Sequence, residues 1–328
     1  MASLTSANRK IDVHAHFLPT WYVEELRRSG ISHPDGMRGY PEWSIESACE
    51  TYDKLGIATG ILSISSPGVF FGDVRAAVRL ARRANEEGAE AVKRHPTRFG
   101  LFAELPLPDV PASLTEIAYA LDTLCADGIA LKTNVGGVYL GDKLFDAIFG
   151  ELNFRGAVIF IHPTSPTCWR ECSMGFPRSM LEFPFETTRA VTNLILSGTL
   201  KRFPKLQIIV PHNGGAVPML AERIATIASS YALGPAANED IRSYLRRLYY
   251  DTAMATSQHT LAPLLEIIDP SRILYGSDTP WFPEELLEAL NRELAESRLL
   301  TDFDREGIYR QNASSLLKRR FASNLVAP

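Results

Sequence analysis

The feature that most constrains the fold is an alternation, repeated eight times, between short apolar runs and longer amphipathic stretches. The apolar runs are rich in Ile, Val, Leu and Phe with little polar alternation, which is typical of strands buried on both faces. The predicted strands span residues 11–14, 60–65, 100–105, 128–133, 157–162, 206–212, 248–252 and 273–276. The predicted helices between them include residues 74–94, 113–126, 185–201, 217–230 and 284–296. Strand–helix alternation of this kind predicts crossover connections and a parallel sheet.

Eight such units predict a (β/α)₈ TIM barrel that forms a single domain over residues 1–328. A doubly wound open sheet is the alternative, but no G-x-G-x-x-G motif follows an early strand. Two connections are long: residues 19–55 after the first strand and residues 163–184 after the fifth. Because barrel enzymes carry substrate loops after the carboxyl ends of their strands, both loops are expected to border an active site.

Composition argues against several classes of partner. With 34 basic and 38 acidic residues the formal net charge is −4, whereas nucleic-acid-binding surfaces are usually strongly basic. No apolar run reaches the ~18 residues of a membrane span, and residues 1–10 lack the apolar core of a signal peptide. The four cysteines show no C-x-x-C spacing, which favours reduced thiols. We therefore expect a cytoplasmic protein with no nucleic-acid or membrane partner.

Polar residues gather at the predicted carboxyl ends of the strands. His14 and His16 end the first strand, His162 ends the fifth, His212 ends the sixth, and Asp278 follows the eighth. In a barrel, all of these residues meet at the C-terminal mouth. The H-x-H spacing directs both imidazoles to one face of the strand, because side chains alternate with a period of two. Two imidazoles, a third from another strand and a carboxylate suit Zn²⁺ or a similar ion, with one position open for water or substrate.

The motif order along the chain resembles that of a known group of enzymes. H-x-H, H-P, H-N-G-G-A-V-P and G-S-D, which begin at His14, His162, His212 and Gly276, resemble the decarboxylase branch of the amidohydrolase superfamily. The likeness extends over residues 10–317. That branch includes aminocarboxymuconate-semialdehyde decarboxylases and the salicylate and resorcylate decarboxylases.

Three shorter stretches resemble one group within the branch, the fungal-type 6-methylsalicylate decarboxylases. They are residues 33–37, residues 66–73 and residues 139–142. The H-x-H motif departs from several resorcylate-type relatives, which have a glutamate in its first place. The resemblance implies metal-dependent, non-oxidative decarboxylation of a salicylate-type acid, with 6-methylsalicylate converted to 3-methylphenol and CO₂.

Taken residue by residue, the resemblance implies one divalent metal ion bound by His14, His16, His162 and Asp278, with His212 as the catalytic histidine beside it. Zn²⁺ is favoured, and Mn²⁺ also suits three nitrogens and one oxygen. The ion would act as a Lewis acid on the phenolate and carboxylate oxygens of the substrate. Asp278, kept protonated by a dry pocket, would deliver a proton to the ring carbon.

The same resemblance implies a homodimer. Arg223 lies eleven residues after His212 and matches an arginine that enters the active site of the neighbouring subunit. The helix that begins near residue 217 would then lie at the subunit interface. A surface salt bridge is the alternative role for an arginine on a helix.

Four aromatic residues and one arginine are expected around the substrate. Trp281 matches an aromatic substrate contact, Phe176 lies where the semialdehyde enzyme has a tryptophan, and Arg38 matches a substrate-carboxylate arginine. Phe70 and Phe282 would add apolar surface, which suits a methyl-bearing ring. Trp281 and Phe176 could instead serve only in packing.

Lys132 is compatible with a different chemistry, two-metal hydrolysis. It lies on the fourth predicted strand, near the mouth, where many hydrolases of this superfamily carry a carboxylated lysine that bridges two metal ions. The alternative is therefore a two-metal hydrolase of an amide, ester or lactone, and a second is a decarboxylase of aminocarboxymuconate semialdehyde. Lys132 could equally pair with a nearby carboxylate. Nothing in the sequence favours a non-enzymatic metal-binding scaffold.

Overall fold

Eight parallel strands form one sheet in the computed structural model, which describes residues 10–317. In hydrogen-bonded order they are β1 (Lys10–His16), β2 (Ile57–Ser63), β3 (Phe99–Glu104), β4 (Gly128–Lys132), β7 (Val158–His162), β8 (Gln207–Val210), β9 (Tyr249–Asp251) and β10 (Ile273–Leu274). Between β4 and β7 the chain forms a small antiparallel hairpin of β5 (Asn134–Val135) and β6 (Val138–Tyr139). All eight predicted strands are confirmed, whereas the hairpin adds an element that the sequence did not indicate.

Backbone hydrogen bonds close the sheet into a barrel between β1 and the segment after β10. The backbone N–H of Asp278 donates to the carbonyl of His14 at 2.8 Å. Ala15 and Thr279 pair beside them in parallel. The predicted (β/α)₈ TIM barrel is therefore confirmed, and its closure places residue 278 directly beside residue 14.

Helices connect the strands and cover the outside of the barrel. They are α1 (Thr20–Arg28), α2 (Ile45–Leu55), α3 (Val74–Arg94), α4 (Val110–Ala118), α5 (Asp146–Arg155), α6 (Trp169–Cys172), α7 (Arg178–Leu196), α8 (Thr199–Arg202), α9 (Val217–Ser230), α10 (Ile241–Leu245), α11 (Gln258–Leu265), α12 (Glu284–Ala295), α13 (Asp302–Glu306) and α14 (Asn312–Leu317). The predicted helices at 74–94 and 217–230 coincide with α3 and α9.

The two long connections contain more helix than the sequence predicted. Residues 19–55 include α1 and α2, and α7 begins at Arg178, inside the segment 163–184 that was expected to be a loop. Pro184 lies within α7. Because proline removes one backbone donor, it is a common sign of a helix boundary, but here the helix continues through it. Its carbonyl also accepts a hydrogen bond from the Thr188 hydroxyl at 2.7 Å.

Aromatic side chains fill the barrel beneath its C-terminal mouth. The rings of Phe102 and Phe160 are buried and stack with their centroids 5.5 Å apart. Phe160 in turn contacts the imidazole of His14, with centroids 4.9 Å apart. No helix within residues 10–317 is long and apolar enough to cross a membrane. Residues 1–9 and 318–328 of the predicted single domain lie outside the described residues.

Candidate metal centre and adjoining cavity

Four of the predicted site residues converge at the C-terminal mouth of the barrel. His14 and His16 from β1, His162 from β7 and Asp278 after β10 each place a potential ligand atom within 4.8 Å of the others. The Nε2 atoms of His14 and His16 lie 3.5 and 3.2 Å from Asp278 Oδ1. Two ligands bound tetrahedrally at about 2.1 Å lie about 3.4 Å apart. The four residues therefore have the spacing of a shared coordination shell.

Hydrogen bonds outside this group orient all three imidazoles. Each ring has its Nδ1 next to a carboxylate or carbonyl oxygen, which only accepts, and His16 Nδ1 also lies 3.0 Å from the Ser63 hydroxyl, which can accept. With Nδ1 as the donor in each ring, Nε2 keeps its lone pair for the centre. The acceptors are Asp251 Oδ2 for His14 (2.9 Å), the Ser63 carbonyl for His16 (3.2 Å) and the Pro163 carbonyl for His162 (2.8 Å).

The atoms that face the centre lack internal partners. Within residues 10–317, His14 Nε2, His16 Nε2 and Asp278 Oδ1 are buried and have no hydrogen-bond partner. Buried polar atoms are nearly always paired, so several unpaired atoms at one point need an explanation. A divalent cation satisfies two imidazole lone pairs and a carboxylate oxygen together. The residues present therefore fit a resident metal ion.

The charges around the centre favour an ionised Asp278 carboxylate, neutral His16 and His162, and a proton on His14. Burial lowers the pKa of His16 to about 4, and burial together with His16 lowers the pKa of His162 well below its usual range. Burial opposes protonation of His14 as well, but the Asp251 and Asp278 carboxylates raise the pKa of His14 to about 10. Burial would raise the pKa of Asp278, yet the His14 imidazole holds it well below its usual range. A bound cation would replace the His14 proton as the positive charge that keeps Asp278 ionised.

His212 lies at the edge of the group. Its Nε2 is 3.6 Å from Asp278 Oδ2, and its Nδ1 is buried without a partner within the described chain. The residue has a φ of 54°, in the left-handed region that non-glycine residues rarely adopt. Its backbone N–H donates to Asp251 Oδ1 at 3.0 Å. His212 is therefore positioned to act on a ligand of the centre without belonging to the four-residue group.

Asp251 is the residue that sequence reasoning missed. One carboxylate oxygen holds the His14 ring, and the other accepts the backbone N–H groups of His212 and Ala253, each at 3.0 Å. The residue is fully buried at the end of β9. The sequence does place this carboxylate at the carboxyl end of a predicted strand, and the same kind of position identified Asp278 as a site residue.

A cavity of about 520 Å³ opens onto the centre. His162, His212 and Asp278 form one end of it. The remaining wall is mostly apolar and includes Pro34, Met37, Pro177, Met180, Phe183, Pro184, Met254, Ala255, Trp281 and Phe282. A cavity of this size and lining suits a small, largely apolar ligand whose polar groups face the centre.

The structure divides the predicted substrate contacts into two groups. Trp281 and Phe282 line the cavity, and the indole Nε1 of Trp281 is buried without a partner within residues 10–317. Phe176 is 54% exposed and Arg38 is exposed, and neither belongs to the described lining. Phe70 lines a neighbouring cavity instead. In a single chain these last three residues therefore lie outside the described lining, and their contact with a substrate stays a prediction.

Arg223 lies on α9 with its side chain exposed, and it does not reach the cavity of its own chain. Lys132 is also engaged elsewhere. Its Nζ donates to Glu104 Oε1 at 2.7 Å and to the Ile64 carbonyl at 2.9 Å, and both side chains are buried. The pairing with a nearby carboxylate thus occurs. Carboxylation of Lys132 requires a free neutral amine, and this ion pair opposes it.

Comparison with known proteins finds similarity over nearly the whole chain. The family model for amidohydrolases matches residues 11–319. A 6-methylsalicylic acid decarboxylase from Penicillium expansum is 38% identical over 284 residues, covering 85% of this chain and 87% of the relative. A 6-methylsalicylic acid decarboxylase from Aspergillus aculeatus is 36% identical over 319 residues, covering 94% and 96%. The crystal structure of an amidohydrolase II is 32% identical with a TM-score of 0.89, covering 94% of this chain and all of that one.

The substitution Asp251→Asn is expected to weaken divalent metal binding by about 10–100-fold. An amide has only one acceptor oxygen, so either orientation turns its NH₂ group towards an N–H donor of His14, His212 or Ala253. Competition with a chromophoric chelator measures the affinity. The matched control is Asp142→Asn, which changes an exposed carboxylate that caps a short helix. Wild-type metal affinity in a folded Asp251→Asn protein would contradict the assignment.

Proposed function

Because the chain belongs to the amidohydrolase family, we propose that it is a metal-dependent, non-oxidative decarboxylase of a salicylate-type aromatic acid. The observation that carries the proposal is the set of inward-facing ligand atoms of His14, His16, His162 and Asp278 at the end of an apolar cavity. The two 6-methylsalicylic acid decarboxylases among its relatives support the same reaction class. We propose Zn²⁺ as the resident ion, with Mn²⁺ as the alternative.

In this proposal the metal ion supplies Lewis-acid stabilisation of the phenolate and carboxylate oxygens of the substrate. The protein supplies the proton transfers. Asp278 is held as a carboxylate by the imidazoles around it, so the proton that it delivers must arrive with the substrate. This differs from the sequence-based expectation that Asp278 is protonated at the outset.

The proton balance gives Asp278 two consecutive roles. Its carboxylate accepts the phenol proton of the bound acid and then donates it to the ring carbon that bears the carboxylate. The bond between that carbon and the carboxylate breaks, its electron pair restores the aromatic ring, and CO₂ leaves. Water then protonates the phenolate oxygen. His212, 3.6 Å from Asp278 Oδ2, is positioned to hold the carboxyl group during this exchange.

His162 and His212 are expected to differ when they are removed. His162→Ala should lose the metal ion and all activity, because it deletes one of the four ligand atoms. His212→Ala should keep the ion while kcat falls by about 10²–10⁴-fold, the range of general acid–base contributions. Metal content by elemental analysis and CO₂ release separate the two outcomes. A His212→Ala protein that emerges without metal would count against this division of roles.

We propose 6-methylsalicylate as the substrate and 3-methylphenol as the product. The apolar lining of the cavity, with Met37, Phe183 and Trp281, favours a ring that carries a methyl group rather than a second charged group. The semialdehyde alternative would bring two carboxylates, and none of the described lining residues is Lys or Arg. The two-metal hydrolase is disfavoured by the Lys132–Glu104 pair.

A panel of benzoates tests the substrate and the reaction together. Removing the methyl group should lower kcat/KM by an amount equivalent to only about 1–3 kcal/mol of transition-state stabilisation, because an apolar pocket discriminates weakly between substrates that differ by one methyl group. Removing the ortho hydroxyl should abolish CO₂ release, since that change deletes the proton source for Asp278 and one chelating oxygen. Equal turnover of benzoates that lack the hydroxyl would refute the mechanism.

We further propose a homodimer in which Arg223 serves the active site of the partner. Its exposed position on α9 fits this role, and Met219 and Tyr231 expose apolar surface on or beside the same helix, at 71% and 74%. Large exposed apolar side chains of this kind are frequent at subunit interfaces. The additional cation would complement the carboxylate of the substrate.

Subunit exchange tests the shared site. Arg223→Ala and Asp278→Ala chains are each expected to be inactive alone. Mixed dimers contain one pocket with both residues intact, so random exchange should restore up to about a quarter of wild-type activity. Light scattering gives the oligomeric state, and verified exchange without recovery would place Arg223 outside the site of its partner.

A further inference from the structure

The cavity contains a second carboxylate, Asp35, which is not one of the four residues of the metal centre. Asp35 lines the wall formed by the connection after β1, in a short turn at Pro34–Gly36. Its residue exposure is only 7%, and its φ is 49°. Acidic side chains are rarely buried to this degree without a specific reason. Apart from Asp278, it is the only acidic residue of the described lining.

Neighbouring side chains hold one oxygen of the Asp35 carboxylate. The Ser165 hydroxyl donates to Asp35 Oδ1, and Arg178 Nε donates to the Ser165 oxygen at 2.7 Å. The Arg178 guanidinium stacks over Trp169 at 4.1 Å. Its Nε lies 3.9 Å from Asp35 Oδ1, beyond hydrogen-bond distance, so it compensates the charge only in part.

The other carboxylate oxygen of this lining residue has no donor from the described part of the protein. Within residues 10–317, Asp35 Oδ2 has no hydrogen-bond donor among the described contacts, whereas Oδ1 is held by Ser165. Arg178 itself is not part of the described lining, and its side chain is 15% exposed. The described lining therefore contains the Asp35 carboxylate and not the Arg178 guanidinium.

We propose that Asp35 is a specificity-determining residue that rejects aromatic acids carrying a second anionic substituent. The inference rests on the proposed function for the class of ligand. One anionic group of the ligand is compensated at the metal centre, whereas a second one would face Asp35 in an apolar wall. Like charges at short range in a poorly solvated site disfavour binding strongly. A methyl group in the same place meets no such penalty.

The test uses ligands that bind without reacting, so that it does not depend on turnover. A nitro group has the shape of a carboxylate and cannot leave as CO₂, which makes 2-nitrophenols suitable probes. Two matched pairs differ only in a methyl or carboxylate substituent: 3-methyl-2-nitrophenol with 3-hydroxy-2-nitrobenzoate, and 4-methyl-2-nitrophenol with 4-hydroxy-3-nitrobenzoate. Calorimetry on the metal-loaded protein gives, for each pair, the Kd of the carboxylate ligand divided by the Kd of the methyl ligand.

Wild type should favour the methyl ligand in at least one pair. Asp35→Asn keeps the size of the side chain and should lower that ratio by about tenfold or more, while the affinity for the methyl ligand changes little. Arg178→Gln leaves the Asp35 charge uncompensated and should raise the ratio. The double variant Asp35→Asn/Arg178→Gln should fall between the two single variants.

Ser165→Ala separates charge from loop geometry, because it removes the hydroxyl that holds Asp35 and leaves the carboxylate. It should keep the discrimination against the carboxylate ligands. The proposal is overturned if Asp35→Asn leaves both ratios within twofold of wild type, or if Ser165→Ala abolishes discrimination as Asp35→Asn does. Absence of CO₂ release from any salicylate would refute the proposed reaction and leave these binding ratios as an independent result.

Discussion

The site depends on one backbone contact, the hydrogen bond by which Asp278 N–H meets the His14 carbonyl as the barrel closes. It brings together residues 264 positions apart and places an acidic side chain beside two imidazoles. A buried carboxylate reinforces the junction, since Asp12 accepts the backbone N–H groups of His14 and Ser277, each at 3.0 Å. The placement of Asp278 beside the two imidazoles is therefore a consequence of barrel closure and not of local sequence.

Charge is the second constraint on the chemistry. The centre and its surroundings contain the Asp251 and Asp278 carboxylates, while Lys132 is neutralised by Glu104 outside the cavity. In a single chain the described cavity lining supplies no lysine or arginine. A cation at the centre is then the main compensation for an anionic ligand, which fits an acid with one carboxylate beside a phenol.

Much of the fold and the centre could be predicted from the sequence. Buried strands have a strong apolar signal, and H-x-H at a strand end defines both position and direction, as His14 and His16 illustrate. Loop residues were less predictable. Phe176 and Arg38 lie in connections whose path is set by contacts between loops, such as the packing of Gly36 against Pro177, and no local pattern encodes such contacts.

Asp251 shows a different limit. The sequence shows an aspartate at the end of a predicted strand. The role of Asp251 becomes clear only in the folded barrel, where β9 lies beside β8 and the two carboxylate oxygens reach His14 and His212. Long-range partners of this kind are fixed by topology. The start of α7 was missed for a local reason, because Pro184 suggests a boundary where packing carries the helix through.

Backbone strain is concentrated around the cavity. Of the eight non-glycine residues with positive φ in the described chain, four line the cavity: Asp35, His212, Met254 and Asp278. Such conformations cost free energy and persist only where the surroundings over-determine them. For His212 and Asp278 the surroundings are identifiable, since their N–H groups donate to Asp251 and to the His14 carbonyl. A regular strand end could not turn these two side chains towards one point. Asp251 and the barrel closure thus maintain a strained geometry that brings a proton-carrying carboxyl group and an imidazole to the same ligand.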